Sequence, residues 1–317
     1  MPHNNKIAIK KVLSGNFGTV LVLIFLMCIM TILTPKFFTV SNLTNILIQS
    51  ATNAIIAVGM TFVIVSGNTD ISVGAILAMS SCVGAQVMKS SGSIPLGLFA
   101  SILAGCALGL FNGTLIAFLE FPPFIVTLST MWLFRGLAYL FTEGRAIVGL
   151  PESMMNFANG KFVLPYIVWV MLIIYISCHF LLQKTVFGRK VVAVGDSKES
   201  ARLSGINVKK ITFIVFVMSG FFSAISGIVY MSRLNSGQPI AGQSYEMYAI
   251  AASVIGGASL TKGGIGNILG TLIGAIFIAV LQNGLIILNV STYWQQVAMG
   301  IVVLLAIGLD KLRKRMS

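Results

Sequence analysis

The eight carboxylates of this 317-residue chain, Asp70, Glu120, Glu143, Glu152, Asp196, Glu199, Glu246 and Asp310, all fall at the edges of apolar runs or between them. No pair is spaced to act as general acid and base, and His3 and His179 do not add up to a metal site. Cys28, Cys82, Cys106 and Cys178 lie inside apolar runs without a CxxC spacing, which points to packing rather than thiolate or disulfide chemistry. A catalytic step, a bound metal and a cofactor held by this chain are therefore not expected. The chemistry left to it is hydrogen bonding, to a passing solute or to a neighbouring chain.

Three stretches concentrate that capacity. In VIVSGNTDISVGAILAM, residues 63–79, Ser66 and Gly67 end one apolar run while Asp70 and Ser72 open the next. Either Asp70 caps the new helix at a tight turn, or a helix ends and restarts within the membrane with its N-terminus facing inward. In SYEMYAIAASVIGGASLTKGGIG, residues 244–266, two Gly-Gly pairs flank a segment too short to span comfortably, as in a broken or re-entrant helix. It is not a phosphate-binding loop, because Lys262 precedes its Gly-Gly pair and no Ser or Thr follows directly.

The third stretch is GDSKESARLSGINVKK, residues 195–210. It is out of character with a chain that is 56% hydrophobic and only 9% charged. The wider segment 184–210 holds nine of the 29 charged residues, so it must face water. Ser197 as N-cap, Glu199 and Ser200 in the first turn, and Gly205 as terminator predict a short helix. Ala201 and Leu203 are expected on one face, with Lys198 and Arg202 on another. Such a helix is marginal alone and needs packing or a partner to order it.

The elements that position these stretches follow from hydropathy. Apolar runs near 17–34, 44–65, 71–88, 94–118, 122–142, 163–182, 211–231, 246–260, 267–287 and 293–309 predict about ten membrane-spanning helices. The first run is expected to be retained rather than cleaved, since it is long and lacks an A-x-A site. With both termini cytoplasmic, inside segments carry 15 Lys and Arg against five outside, with Arg135 within a span. That distribution, rather than one basic soluble face, accounts for the net charge of +13 and argues against nucleic acid. The expected organisation is a cytoplasmic segment 1–16, a transmembrane domain 17–309 including the cytoplasmic loop 183–210, and a cytoplasmic basic tail 310–317. Residues 143–162 are expected to form an outer helix or cap. FNGTLIAFL at 111–119 and QNGLIILNV at 282–290 both carry Asn-Gly, in spans of opposite direction, as in an inverted internal repeat.

The chain resembles the permease of ribose-type ABC sugar importers, a branch that also carries autoinducer-2, rhamnose and other sugars. The resemblance runs through FFTVSNLTNIL at 37–47, AIIAVGMTFVIVSGNTDISVG at 54–74, PPFIVTLSTMWLFRGLAYLFTEG at 122–144 and TVFGRKVVAVGDSKESARLSGINVKK at 185–210. It continues through residues 244–275 and NGLIILNVSTYWQQVAMGIVVLLAI at 283–307. It implies an all-α polytopic protein of the bacterial inner membrane, set in the lipid bilayer and paired with a second permease copy or a homologous permease. It further implies a cytoplasmic ATP-binding subunit, which holds the ATP and Mg, and an extracytoplasmic sugar-binding protein. Ser197, Glu199, Ser200, Ala201, Arg202, Leu203, Gly205 and Ile206 match the helix that couples such permeases to their ATPases.

Asn68, Asp70, Ser72, Asn112, Phe124, Glu246, Tyr248 and Asn283 are the candidates for the sugar pathway. Two of these positions depart from the family pattern: Asn68-Thr69-Asp70 replaces Gly-Ile-Asp, and Tyr248 replaces an acidic residue. Those departures favour a sugar less polar than ribose, such as a deoxysugar or autoinducer-2. The alternative function is an ion-coupled secondary transporter or channel. The near absence of ionisable groups within the spans gives that alternative little to work with.

Overall fold

A computed structural model describes residues 16–316; the expected segment 1–16 lies outside the described residues except for Asn16. The chain is helical almost throughout. Among the described residues seven helices are long and apolar enough to cross a membrane: α2 (Val40–Val65), α3 (Val73–Ser91), α4 (Ile94–Ala117), α5 (Pro123–Thr142), α7 (Tyr166–Lys184), α10 (Val208–Leu234) and α12 (Ile268–Ile287). Three further apolar helices, α1 (Asn16–Leu33), α11 (Tyr245–Ile255) and α13 (Thr292–Met316), complete ten apolar segments among the described residues. The fold is an all-α polytopic membrane protein, as the hydropathy requires.

Two details differ from the sequence reading. The eighth segment stops at Ile255 instead of reaching 260, because Gly256 and Gly257 end it, with Gly257 at φ 99. At 1.5 Å per residue its eleven residues extend only ~16 Å, about half a bilayer core. The loop 183–210 contains an unforeseen helix, α8 (Val186–Asp196), ahead of the expected short one, α9 (Lys198–Leu203). Helix α13 runs on through residues 310–316 of the expected tail. The outer segment does contain a helix, α6 (Glu152–Asn159), flanked by β1 (Ile147–Val148), β2 (Lys161–Phe162) and β3 (Leu164–Pro165). Strand β1 pairs antiparallel with β4 (Ser236–Gly237), tying this segment to the loop after α10.

Helix α2 is the axis of the bundle, buried continuously from Ser50 to Val65. Its partners are arranged as an exchange between two halves. In the first half α3 packs on α4 and α5; in the second α11 packs on α12 and α13. Across the halves, α10 packs on α3 and α4, while α2 packs on α11 and α12. Each long helix thus covers the two helices that follow the other one, the pattern expected of a duplicated unit.

Helices α4 and α10 approach closely. Gly97, Ser101, Gly105, Gly109 and Gly113 repeat every fourth residue on α4 and present a small-residue stripe. A Cβ on Gly105 would meet the Ala224 Cβ at 2.5 Å and the Gly220 carbonyl oxygen at 2.7 Å. Lipid gives no hydrophobic drive to helix pairing, so this backbone proximity and its dispersion contacts hold the pair together. Of the cysteines, Cys82 and Cys178 are buried and all four are free thiols.

Candidate functional site

At one end of the bundle the charged loop folds back on the membrane helices. Ser197 is extended at φ −156 and its Oγ accepts the Ser200 N–H at 3.2 Å, the predicted N-cap. Gly205, at φ +76, closes the helix: its N–H donates to Arg202 O and the Ile206 N–H to Ala201 O, both at 3.0 Å. The faces differ from the sequence expectation. Ala201 is 3% exposed and packs inside the chain, whereas Leu203 is 80% exposed. Residues two apart on a helix point to different sides, so they could not share one face. Glu199, Ser200 and Arg202 are exposed, and Ile206 is half-buried against the core. The outward surface of α9 is therefore an apolar tip at Leu203 ringed by polar and charged groups.

Just before α9, three loops meet at Gly195. The Val65 carbonyl, at the end of α2, accepts the Gly264 N–H at 2.8 Å. A Cβ on Gly195 would overlap that same carbonyl oxygen and stand 2.5 Å from the Gly264 nitrogen. Only glycine allows the α8 terminus, the α2 terminus and the loop after α11 to touch in this way. An exposed Lys262–Asp196 pair at 3.7 Å adds little. Nearby, Lys209 Nζ lies 2.7 Å from Glu120, and this hydrogen-bonded ammonium holds the Glu120 carboxyl below its ordinary range.

The break between α2 and α3 is a buried polar knot. Asp70 is 0% exposed; its Oδ1 accepts the Ser72 N–H at 2.9 Å and the Ser72 O–H at 2.6 Å. Its Oδ2 accepts from Ser219 of α10 at 2.7 Å, and the Asn112 amide of α4 donates to Ser72 Oγ at 2.8 Å. The carboxylate thus ties the start of α3 to two other helices, and neither simple capping nor an open cavity describes it. Asn68 is turned to Ser66.

The start of α3 meets the start of α11. Gly74 lies against the carbonyl of Gly242, and a Cβ there would stand 2.7 Å from Glu246 Oε2. Glu246 is thereby held at the first turn of α3, where an anion complements the helix dipole. The loop leading into α11 is held from the side by Arg135 of α5, whose Nη1 donates to the carbonyl oxygens of Pro239 and Ala241, both at 2.6 Å. Arg135 is thus a backbone clamp.

The end of the bundle away from α9 holds a cavity of about 380 Å³. Tyr230 of α10 and Tyr245 and Tyr248 of α11 form a continuous aromatic series, with ring centroids 6.3 Å and 5.9 Å apart. Gln49 of α2, Gln282 of α12 and Gln295 of α13 line it as well, together with Arg233 and Gln243. Of the sequence candidates only Tyr248 lines this cavity. Asn283 is buried one position from Gln282 and donates to Asn42 Oδ1 at 2.9 Å. Phe124 is 57% exposed in the first turn of α5. The glutamines and the other two tyrosines were not singled out from sequence. Their only local signal is an amide inside an apolar run, as at Gln49 and Gln282.

Comparison with known proteins places the chain. It is 43% identical over 293 residues to the ribose import permease protein of Haemophilus influenzae, covering 91% of this chain and 90% of that protein. It is 43% identical to the ribose import permease protein of Bacillus subtilis, over 93% of this chain and 92% of that one. The D-allose transport system permease protein of Escherichia coli is 37% identical, with 93% and 91% covered. No solved structure matches the chain. Residues 42–307, from the second helix into the last, match the family described as branched-chain amino acid transport system / permease component, and the chain belongs to that family.

Proposed function

We propose that this chain is the membrane-spanning subunit of an ATP-driven, binding-protein-dependent importer of a monosaccharide, in the bacterial inner membrane. The sugar we assign is ribose or a close relative, in line with the ribose and allose permeases it resembles; this moves away from the less polar sugar expected from Tyr248. ATP and Mg are bound by a separate cytoplasmic subunit, and a sugar-binding protein delivers the solute to the opposite face. A second permease, this chain or a homologue, completes the membrane unit. This chain holds no cofactor and makes no covalent change; it provides the route and transmits the motion.

The observation that carries this reading is the contact of Gly195 with Val65 and Gly264. In the proposed cycle the ATPase grips the Leu203 tip of α9. Because α8 and α9 adjoin and Gly195 leaves no slack, a displacement of α9 presses directly on the ends of α2 and of the loop after α11. Packed interfaces shift between discrete arrangements rather than deforming gradually, which suits them to relay such a push. Helices α3 and α11, whose starts meet at Gly74 and Glu246, then move relative to each other. On this reading Tyr248 and Glu246 border the sugar route. Asp70, Ser72 and Asn112 hold the helix starts in place, Asn68 braces the same region, Asn283 ties α12 to Asn42 near the opposite end of α2, and Phe124 marks the cytoplasmic edge.

The test is uptake of labelled ribose by cells producing the chain with its ATPase and binding protein. Uptake lost on deleting the ATPase partner, and insensitive to an ionophore while ATP is maintained, supports the proposal. Uptake that survives the deletion but collapses with the ionophore makes the chain an ion-coupled transporter instead.

A further inference from the structure

The cavity beside Tyr248 has the chemistry of a site rather than of a packing gap. Its tyrosine series offers flat apolar faces with hydroxyl groups at their edges. A sugar ring has the complementary shape: C–H bonds on its faces and hydroxyls around its rim. Side-chain amides both donate and accept, as a hydroxyl needs, and Gln49, Gln243, Gln282 and Gln295 line the cavity.

The charge pattern narrows the ligand. No carboxylate lines the cavity, and its single ionised group, Arg233, is turned toward Thr52 Oγ1 at 3.4 Å. That environment suits a neutral polyol better than a cation. The volume, about 380 Å³, sits at the small end of the ~300–1,000 Å³ of small-molecule sites, which fits one sugar ring and not an oligosaccharide.

A second observation points the same way. Asn53 follows Gln49 by one turn on the same face of α2, and neither its Oδ1 nor its Nδ2 has a partner although the residue is buried. Buried amides are almost always bonded, so an orphan calls for an explanation. Two turns further, Thr61 joins Ser253 and Thr271 in a hydroxyl cluster, with oxygens 3.1 Å and 2.8 Å apart. Gln49, Asn53 and Thr61 thus mark a polar line along the central helix, leading from the cavity toward Val65 and the Gly195 junction.

We propose that this cavity is a low-affinity resting site for one neutral monosaccharide within the permease itself, entered after release from the binding protein. This rests on the importer reading and adds to it a site in this chain that selects sugar. The tyrosines take the C–H face of the ring, Gln243 and Gln282 take its hydroxyls, and Asn53 is the next acceptor and donor along the route.

The test uses the full chain with its ATPase subunit in lipid nanodiscs, without binding protein or nucleotide. Saturation-transfer NMR is recorded with D-ribose, D-allose and L-arabinose as separate probes. At least one should give saturable transfer to its C–H protons with Kd on the order of millimolar. Gln282→Leu should weaken it about tenfold, and Gln243→Leu, at an exposed position that does not threaten folding, should do the same. No saturable transfer with any of the three sugars overturns the site, as does transfer unchanged by both substitutions. ATP-driven uptake by the same subunits reconstituted in proteoliposomes, with binding protein added, separates the two ideas. Uptake without saturable binding overturns the site and leaves the importer reading standing; saturable binding without ATP-driven uptake does the reverse.

Discussion

The carbonyl oxygen of Val65 accepts the Gly264 N–H at 2.8 Å, and the α-carbon of Gly195 fills the space beside that bond. Three segments far apart in sequence therefore meet at one hydrogen bond. One ends the central helix, one precedes the exposed α9, and one follows the half-length α11.

Gly195→Ala is expected to break this junction without unfolding the bundle, since the added Cβ overlaps the Val65 oxygen and displaces the loop. ATP-driven sugar uptake at matched membrane levels should fall at least about tenfold, an effect of ~1.4 kcal/mol on coupling. Gly136→Ala, where a Cβ meets nothing within 4 Å, is the control and should transport normally.

Leu203→Glu should abolish co-purification of the ATPase subunit while the chain inserts and folds as before. Leu203 is free of its own fold, and a carboxylate buried at a contact without a partner costs a few kcal/mol, ~2–7. Ala201→Glu should act differently, lowering the folded yield, because Ala201 is packed inside the chain. Normal ATPase binding by Leu203→Glu would mean that α9 is only a solvated surface.

How much of this was legible in sequence depends on the range of the signal. Ten apolar runs and the Ser197 to Gly205 helix are local patterns, and apart from the eighth run, which ends at Ile255, they stand close to where hydropathy and capping put them. Helix α8 was hidden by Gly188 and Gly195 and by its four valines, all of which lower helix propensity. Both glycines are there for close approach, Gly188 against Leu182 and Gly195 against Val65. Beyond Tyr248 the cavity could not be read, because Gln49, Tyr230, Gln282 and Gln295 come from four helices and share no local motif. Asp70 was noticed, but its partner Ser219 lies 149 residues away, so only the fold shows that it ties helices together.

Asp70→Asn should destabilise the chain by roughly 1–3 kcal/mol, because three donors converge on its two oxygens and the amide nitrogen that replaces one of them cannot accept. Ser219→Ala removes one donor and should cost less, about 1 kcal/mol. Thermal unfolding followed by a thiol-reactive dye reads both, as Cys82 and Cys178 become reactive only when the bundle opens. Equal melting temperatures for Asp70→Asn and wild type would contradict the anchoring role.

Arg135→Gln should free the loop before α11, since its guanidinium bonds two buried carbonyls at 2.6 Å and an amide is too short to reach both. Limited proteolysis should then cut within residues 236–244 several times faster than in wild type, and Arg135→Lys should fall between the two. Unchanged cleavage would show that the loop is held by its other contacts.

The central claim is that ATP hydrolysis in a partner chain drives sugar through this one. The most direct measurement is labelled-ribose accumulation in proteoliposomes containing this chain and its ATPase subunit, with binding protein outside, ATP and Mg inside and no ion gradient. The account predicts accumulation against a concentration gradient that stops when ATP is replaced by a non-hydrolysable analogue or when Gly195→Ala is introduced. Accumulation driven by an imposed proton or sodium gradient with no ATP present would contradict it.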